Sequence, residues 1–140
     1  MNCISYKKGY KYQLTEDCCY PISIKREEHI ENDFIILTED GDLTMKKGYA
    51  WDGPSGPTFD TLNFMRGSLV HDALYQLMRE GKLDQNQRKP ADQLLREMCK
   101  EDGMSSIRAL WVYVGLRIGG GKAADPANLK PITQAPKGCE

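Results

Sequence analysis

The stretch Leu69-Val70-His71-Asp72-Ala73-Leu74-Tyr75-Gln76-Leu77-Met78 marks where the chain turns from a strand-like to a helical pattern. Leu74, Tyr75 and Met78 follow His71 by three, four and seven residues, so the four side chains share one helical face. Asp60 is suited to cap the start of this helix, and Gly81 to end it. Downstream, Lys82 to Lys89 forms a polar connector. Ala91 to Glu101 is a second helix, stopped by Gly103. Ser106 to Ile118 is a third, capped by Ser105 and stopped by Gly119-Gly120-Gly121. Upstream the period is two. Tyr10 to Leu14, Tyr20 to Ile24, Phe34 to Thr38 and Leu43 to Tyr49 read as strands, with Asp40-Gly41 as a tight turn. Between sheet and helices lies Trp51-Asp52-Gly53-Pro54-Ser55-Gly56-Pro57-Thr58, whose glycines and prolines suit neither helix nor central strand.

These patterns predict one α+β domain over residues 1–121: a small N-terminal antiparallel sheet packed with a three-helix unit. The strands fall at about 10–50, the Gly/Pro loop at 51–58 and the helices at about 60–118. Residues 122–140 carry three prolines and no periodicity, as in a mobile tail or a segment draped over the body.

Two polar residues sit on apolar helix faces. His71 shares its face with Leu74, Tyr75 and Met78, and Asp92 shares the face of Leu95 and Cys99. Stripping an unpaired carboxylate of water costs several kcal/mol, so Asp92 needs a partner. The short connector makes the two helices antiparallel neighbours, which predicts a His71–Asp92 hydrogen bond. A carboxylate on one imidazole nitrogen fixes the tautomer and readies the other nitrogen as a base. The same pair also serves as a satisfied core histidine. Asp72 points about 100° away from His71, towards a neighbouring element. A helix carboxylate with carbonyls from a glycine-rich loop makes a hard-oxygen site suited to Ca²⁺. The alternative is a turn capped by Asp52 and Ser55, with Asp72 solvated.

The 140 residues carry 19 Lys and Arg against 20 Asp and Glu, a net charge of −1. That balance argues against a polyanion binder, so no nucleic-acid partner is expected. No apolar run reaches the ~20 residues of a membrane span, and the N-terminus lacks a secretory signal's apolar core. Five Cys, an odd number, suggest a reduced intracellular chain. With two His, a site of three or more His is excluded, and His29 lies in a charged, solvated connector. Arg66 and Arg117 are suited to meet a phosphate or, more commonly, a carboxylate. Trp111, Val112, Val114, Gly115 and Ile118 are spread around the third helix as core or as a partner- or lipid-facing patch.

Four blocks occur in order: GYAWDGPSGPT, LVHDALYQL, RKPADQLLREMCKEDGMS and WVYVGLRIGG. Together they resemble a phage and prophage family, the domain of unknown function 1353, over roughly Lys47 to Gly120. That resemblance implies phage origin and no settled activity. A more remote resemblance is to the phospholipase A2 helix pair, on Tyr49, Gly53, Ser55 and Gly56, then His71-Asp72-Ala73-Leu74-Tyr75, then Asp92. It implies that His71 deprotonates water, Asp92 orients it and Tyr75 hydrogen-bonds to Asp92. It also implies that Asp72 binds Ca²⁺ with carbonyls of Trp51, Gly53 and Ser55. Asp52 is a second carboxylate that departs from the pattern, placed to contact the metal, cap the loop or hydrogen-bond His71. The flanking cysteines of those enzymes are replaced by Gly67-Ser68, so packing must do the work of their bridges.

The resulting expectation is a phage-derived phospholipase A2-like ester hydrolase. It would act at a phospholipid or membrane surface, in the host cytoplasm or on the virion. The alternative is a non-enzymatic tail, baseplate or host-interaction protein that contacts phage structural proteins, with a structural dyad. A nucleotide-sequestering protein ranks last, because no phosphate-loop signature accompanies the glycines.

Overall fold

The computed structural model describes residues 4–6, 12–22, 28–52, 62–128, 133–135 and 138. The protein is α+β. Strands β1 (Ile4–Tyr6), β2 (Tyr12–Gln13), β3 (Cys18–Pro21), β4 (Ile30–Glu31), β5 (Ile35–Leu37), β6 (Asp42–Met45) and β7 (Ala50–Trp51) precede the helices. The helices are α1 (Leu62–Arg79), α2 (Arg88–Glu101), α3 (Ser106–Gly119) and the single turn α4 (Gly121–Ala124), and β8 (Thr133–Ala135) closes the order. The main sheet is antiparallel, in the order β3-β6-β5-β4, while β2 pairs with β7 and β1 with β8.

Alternation explains which side of the main sheet is covered. Ile35 and Leu37 on β5, and Leu43 and Met45 on β6, have no exposed surface. They point to one face of the pleat. The face packs in one cluster with Val70, Ala73, Leu74, Leu77 and Met78 of α1 and with Ala91 and Met98 of α2. A second cluster joins Phe64, Leu95, Cys99, Met104 and Ala109, seating the start of α1 and the base of α3 against α2.

The strand expected from Leu43 to Tyr49 ends at Met45. Gly48 adopts a positive φ of 93°, and Tyr49 N–H bonds back to Lys46 O at 3.0 Å, a turn that redirects the chain into β7. The second helix begins at Arg88, three residues before Ala91, because a 3₁₀ turn capped by Asp84 leads directly into it. Its Pro90 lies in the first turn, where no intrahelical N–H bond is lost. Gly81 and Gly103, with φ of 72° and 101°, follow α1 and α2. Ser105 caps α3 by accepting from Arg108 N–H. Asp60 lies outside the described residues.

Gly67 lets α1 and α2 approach closely. A Cβ there would lie 2.7 Å from Leu95 Cδ1 and 3.2 Å from Cys99 Sγ. Contact through a missing side chain thus joins the two helices. Beyond α3 the chain drapes back over α1. Arg79 Nη1 donates to Ala123 O at 2.8 Å, Gln85 Nε2 donates to Ala124 O at 2.6 Å, and Ala124 is buried. Among the described residues, no helix is long and apolar enough to cross a membrane.

Candidate functional site

His71 projects from the middle of α1 and Asp92 from the first turns of α2. The antiparallel pairing brings His71 Nε2 within 2.7 Å of Asp92 Oδ1. Tyr75, one turn after His71, donates its hydroxyl to the same oxygen at 2.6 Å. The imidazole and phenol rings lie against each other, with centroids 4.0 Å apart. His71, Asp92 and Tyr75 are all buried. Two side chains, 21 and 17 positions away in sequence, therefore converge on one carboxylate oxygen.

Sequence reasoning missed what completes the carboxylate. Arg117, near the end of α3, donates from Nη1 to Asp92 Oδ2 at 2.9 Å. Arg88 lies one turn before Asp92 on α2, with Nη1 3.9 Å from the same oxygen. Arg88 also donates to Leu116 O at 2.9 Å, placing a cation at the carbonyl end of α3, where the helix dipole favours it. Gly120 has the same neighbours. A Cβ on it would lie 2.8 Å from Tyr75 Oη, 2.6 Å from Leu116 O and 3.2 Å from Arg88 Nη1. Read along the chain, Gly120 is only a helix stop; in space it makes room for the Tyr75 hydroxyl.

These contacts determine the protonation pattern. Burial pushes the Asp92 carboxyl up, but His71, Tyr75 and Arg117 outweigh it and hold the group below the ordinary carboxylate range. An ionised carboxylate only accepts hydrogen bonds, so the proton on His71 sits at Nε2. Nδ1 is then the basic nitrogen. It faces Asp72 Oδ1 at 3.8 Å, too long for a direct hydrogen bond. Burial pulls the His71 pKa down, yet Asp72 and Asp92 together carry it above its ordinary value. Tyr75 is pushed well up, by burial first and then by its bond to the Asp92 carboxylate, so its hydroxyl keeps its proton.

Asp72 is the other half of the arrangement. Its side chain is 31% exposed. Its carboxyl is pushed up by desolvation and by the charge of Asp52, against the pull of His71 and Arg79. Trp51 is buried, and its indole N–H donates to Ser68 Oγ at 3.2 Å, seating the end of β7 one turn ahead of His71 on α1. Asp72 thus stands on the Nδ1 side of His71, on the helix against which β7 ends. The partly exposed Asp72 carboxylate is the kind of oxygen donor that suits a hard divalent cation. Among the described residues, no three His, Cys, Asp or Glu side chains form a metal-binding group. Gly53 and Ser55, the other expected ligands, lie outside the described residues.

Other candidates take structural roles. Arg66 forks onto Asp102, with Nε to Oδ2 at 3.0 Å and Nη2 to Oδ1 at 2.9 Å, so its partner is a carboxylate and not a phosphate. His29 is half exposed, 3.6 Å from Glu31. Cys99 is buried, and burial pushes its thiol up to about 11, leaving it unreactive.

The family model described as "Protein of unknown function (DUF1353)" matches residues 29–116, from the edge of the sheet through most of α3. No curated protein and no solved structure matches the chain.

Proposed function

Because the chain belongs to the DUF1353 family of proteins of unknown function, its chemistry has to be read from the site, and we propose a phospholipase A2-like ester hydrolase of phage origin. The observation that carries this reading is the division of labour on His71. Nε2 is held by Asp92 at 2.7 Å, and Nδ1 is left as the base on the side of Asp72.

In this reading His71 Nδ1 takes a proton from water as the water oxygen attacks the lipid ester carbonyl. The imidazolium that forms is stabilised by Asp92, whose charge is kept in place by Arg117 and Tyr75. His71 then returns the proton to the departing alkoxide as the acyl–oxygen bond breaks. Tyr75, with its pKa raised, orients the carboxylate and exchanges no proton. Asp72, with Asp52 and the loop carbonyls, would hold Ca²⁺, which when bound polarises an ester carbonyl.

The test is fatty-acid release from phospholipid vesicles by wild type and His71→Ala, with and without chelator. The proposal expects release by wild type, its loss on chelation, and background release by a folded His71→Ala. Equal release by both proteins would sink it.

A second reading is favoured by the two arginines on Asp92. They tie α2 to the end of α3, as a purely structural cluster would. The protein would then be a non-enzymatic virion or host-interaction component. In that case His71→Ala unfolds or markedly destabilises the protein, and wild type releases no fatty acid.

A further inference from the structure

Helix α3 is apolar on two opposite sides. Ala109, Val112 and Leu116 face α2 in the second core cluster. On the far side, Ile107 is 73% exposed, Trp111 76%, Val114 44% and Ile118 83%, with Leu110 beside them at 42%. Ile107, Trp111, Val114 and Ile118 are spaced by four, three and four residues, the a/d alternation of a two-stranded helix seam. Together the five side chains present a patch on the order of 600 Å², at the upper limit for a monomer and approaching the ~800 Å² per partner of a stable interface.

We propose that this seam pairs with the same seam of a second copy of the chain, the two α3 helices antiparallel about a two-fold axis near residues 112–113. In that register Ile107 meets Ile118 of the partner subunit, and Trp111 meets Val114 of the partner subunit, so each large residue faces a complementary one. An isologous contact requires such reciprocity. Gly115 and Gly119 have nothing within 4 Å of where a Cβ would lie, which leaves the shoulder of the seam open for the indole of the partner. The antiparallel direction opposes the helix dipoles. A parallel pair would stack Trp111 on its own copy and bring like arginines together.

A lipid surface is the weaker occupant for this face. A membrane-lying helix carries a basic rim, whereas the two charges of α3 are Arg117, spent on Asp92, and the half-buried Arg108. The net charge of −1 adds no attraction to an anionic bilayer.

Sedimentation velocity on the full chain over a concentration series tests this. The expected species has twice the 15.9 kDa chain mass. Trp111→Glu should shift it to monomer with an unchanged far-ultraviolet spectrum. Ile107→Glu and Ile118→Lys should each weaken the dimer at least tenfold, and the double variant should recover it, because only the antiparallel register sets the new charges against each other. A monomeric wild type at several hundred micromolar would overturn the proposal. So would a dimeric Trp111→Glu, or a double variant no better than either single one. Co-sedimentation of a monomeric wild type with phosphatidylcholine vesicles, abolished by Trp111→Glu, would assign the face to lipid instead.

Discussion

Two arginine–aspartate contacts tie α2 to its neighbours, and they differ in everything but chemistry. At one end, Arg66 of α1 forks onto Asp102, with side chains 37% and 25% exposed. At the other, Arg117 of α3 meets Asp92, which has no exposed surface and also takes His71 and Tyr75. Water shares the charge at Asp102. At Asp92 the protein alone must stabilise it, and four side chains are committed to doing so. A surface staple needs no such investment. A buried imidazole with Nε2 locked on that carboxylate keeps Nδ1 as its basic atom, the arrangement on which the proposed general base rests.

Removing the buried carboxylate should produce the largest effect. Asp92→Ala leaves His71 and Arg117 without their acceptor and should cost about 3–5 kcal/mol, read from urea unfolding. Protonation should remove part of the same contribution. The folded-state pKa of Asp92 lies below its unfolded value of ~3.9. Its stabilisation is therefore complete above that pH and is lost as the pH falls through the folded value. A urea midpoint that falls with acid in wild type, and more shallowly in Asp92→Asn, would bear this out. Gly120→Ala places a methyl against Tyr75 Oη and Leu116 O and should cost about 1–3 kcal/mol. Tyr75→Phe removes one bond to a charged acceptor that retains its others, for about 1.5 kcal/mol. Arg66→Ala should be the mildest, at most ~1 kcal/mol and smaller still in high salt. If Arg66→Ala costs as much as Asp92→Ala, burial is not what separates the two sites.

The same contrast explains what could be read in advance. The His71–Asp92 bond was legible because helix periodicity puts both groups on apolar faces, and a buried carboxylate demands a partner. The sheet and three main helices followed from periods of two and 3.6 and from glycine stops. Arg88 and Arg117 were not legible as ligands of Asp92. A long guanidinium stem can reach several neighbours, and α3 carries apolar residues on both sides, so its pattern does not say which way Arg117 points. Gly120 was opaque for another reason: its role is the space it leaves beside Tyr75, and an empty space has no sequence signature. The Lys47–Gly48 turn was hidden inside an apparently continuous strand pattern, because only tertiary pairing divides it, with β3 and β5 flanking β6 before the turn and β2 taking β7 after it.

In the proposed mechanism His71 is a base and not merely a core histidine. Fatty-acid release from phospholipid vesicles by wild type and by a His71→Ala variant with native far-ultraviolet spectrum tests it most directly. A catalytic His71 gives release by the first and only background by the second. No release by wild type, or equal release by both, would contradict it.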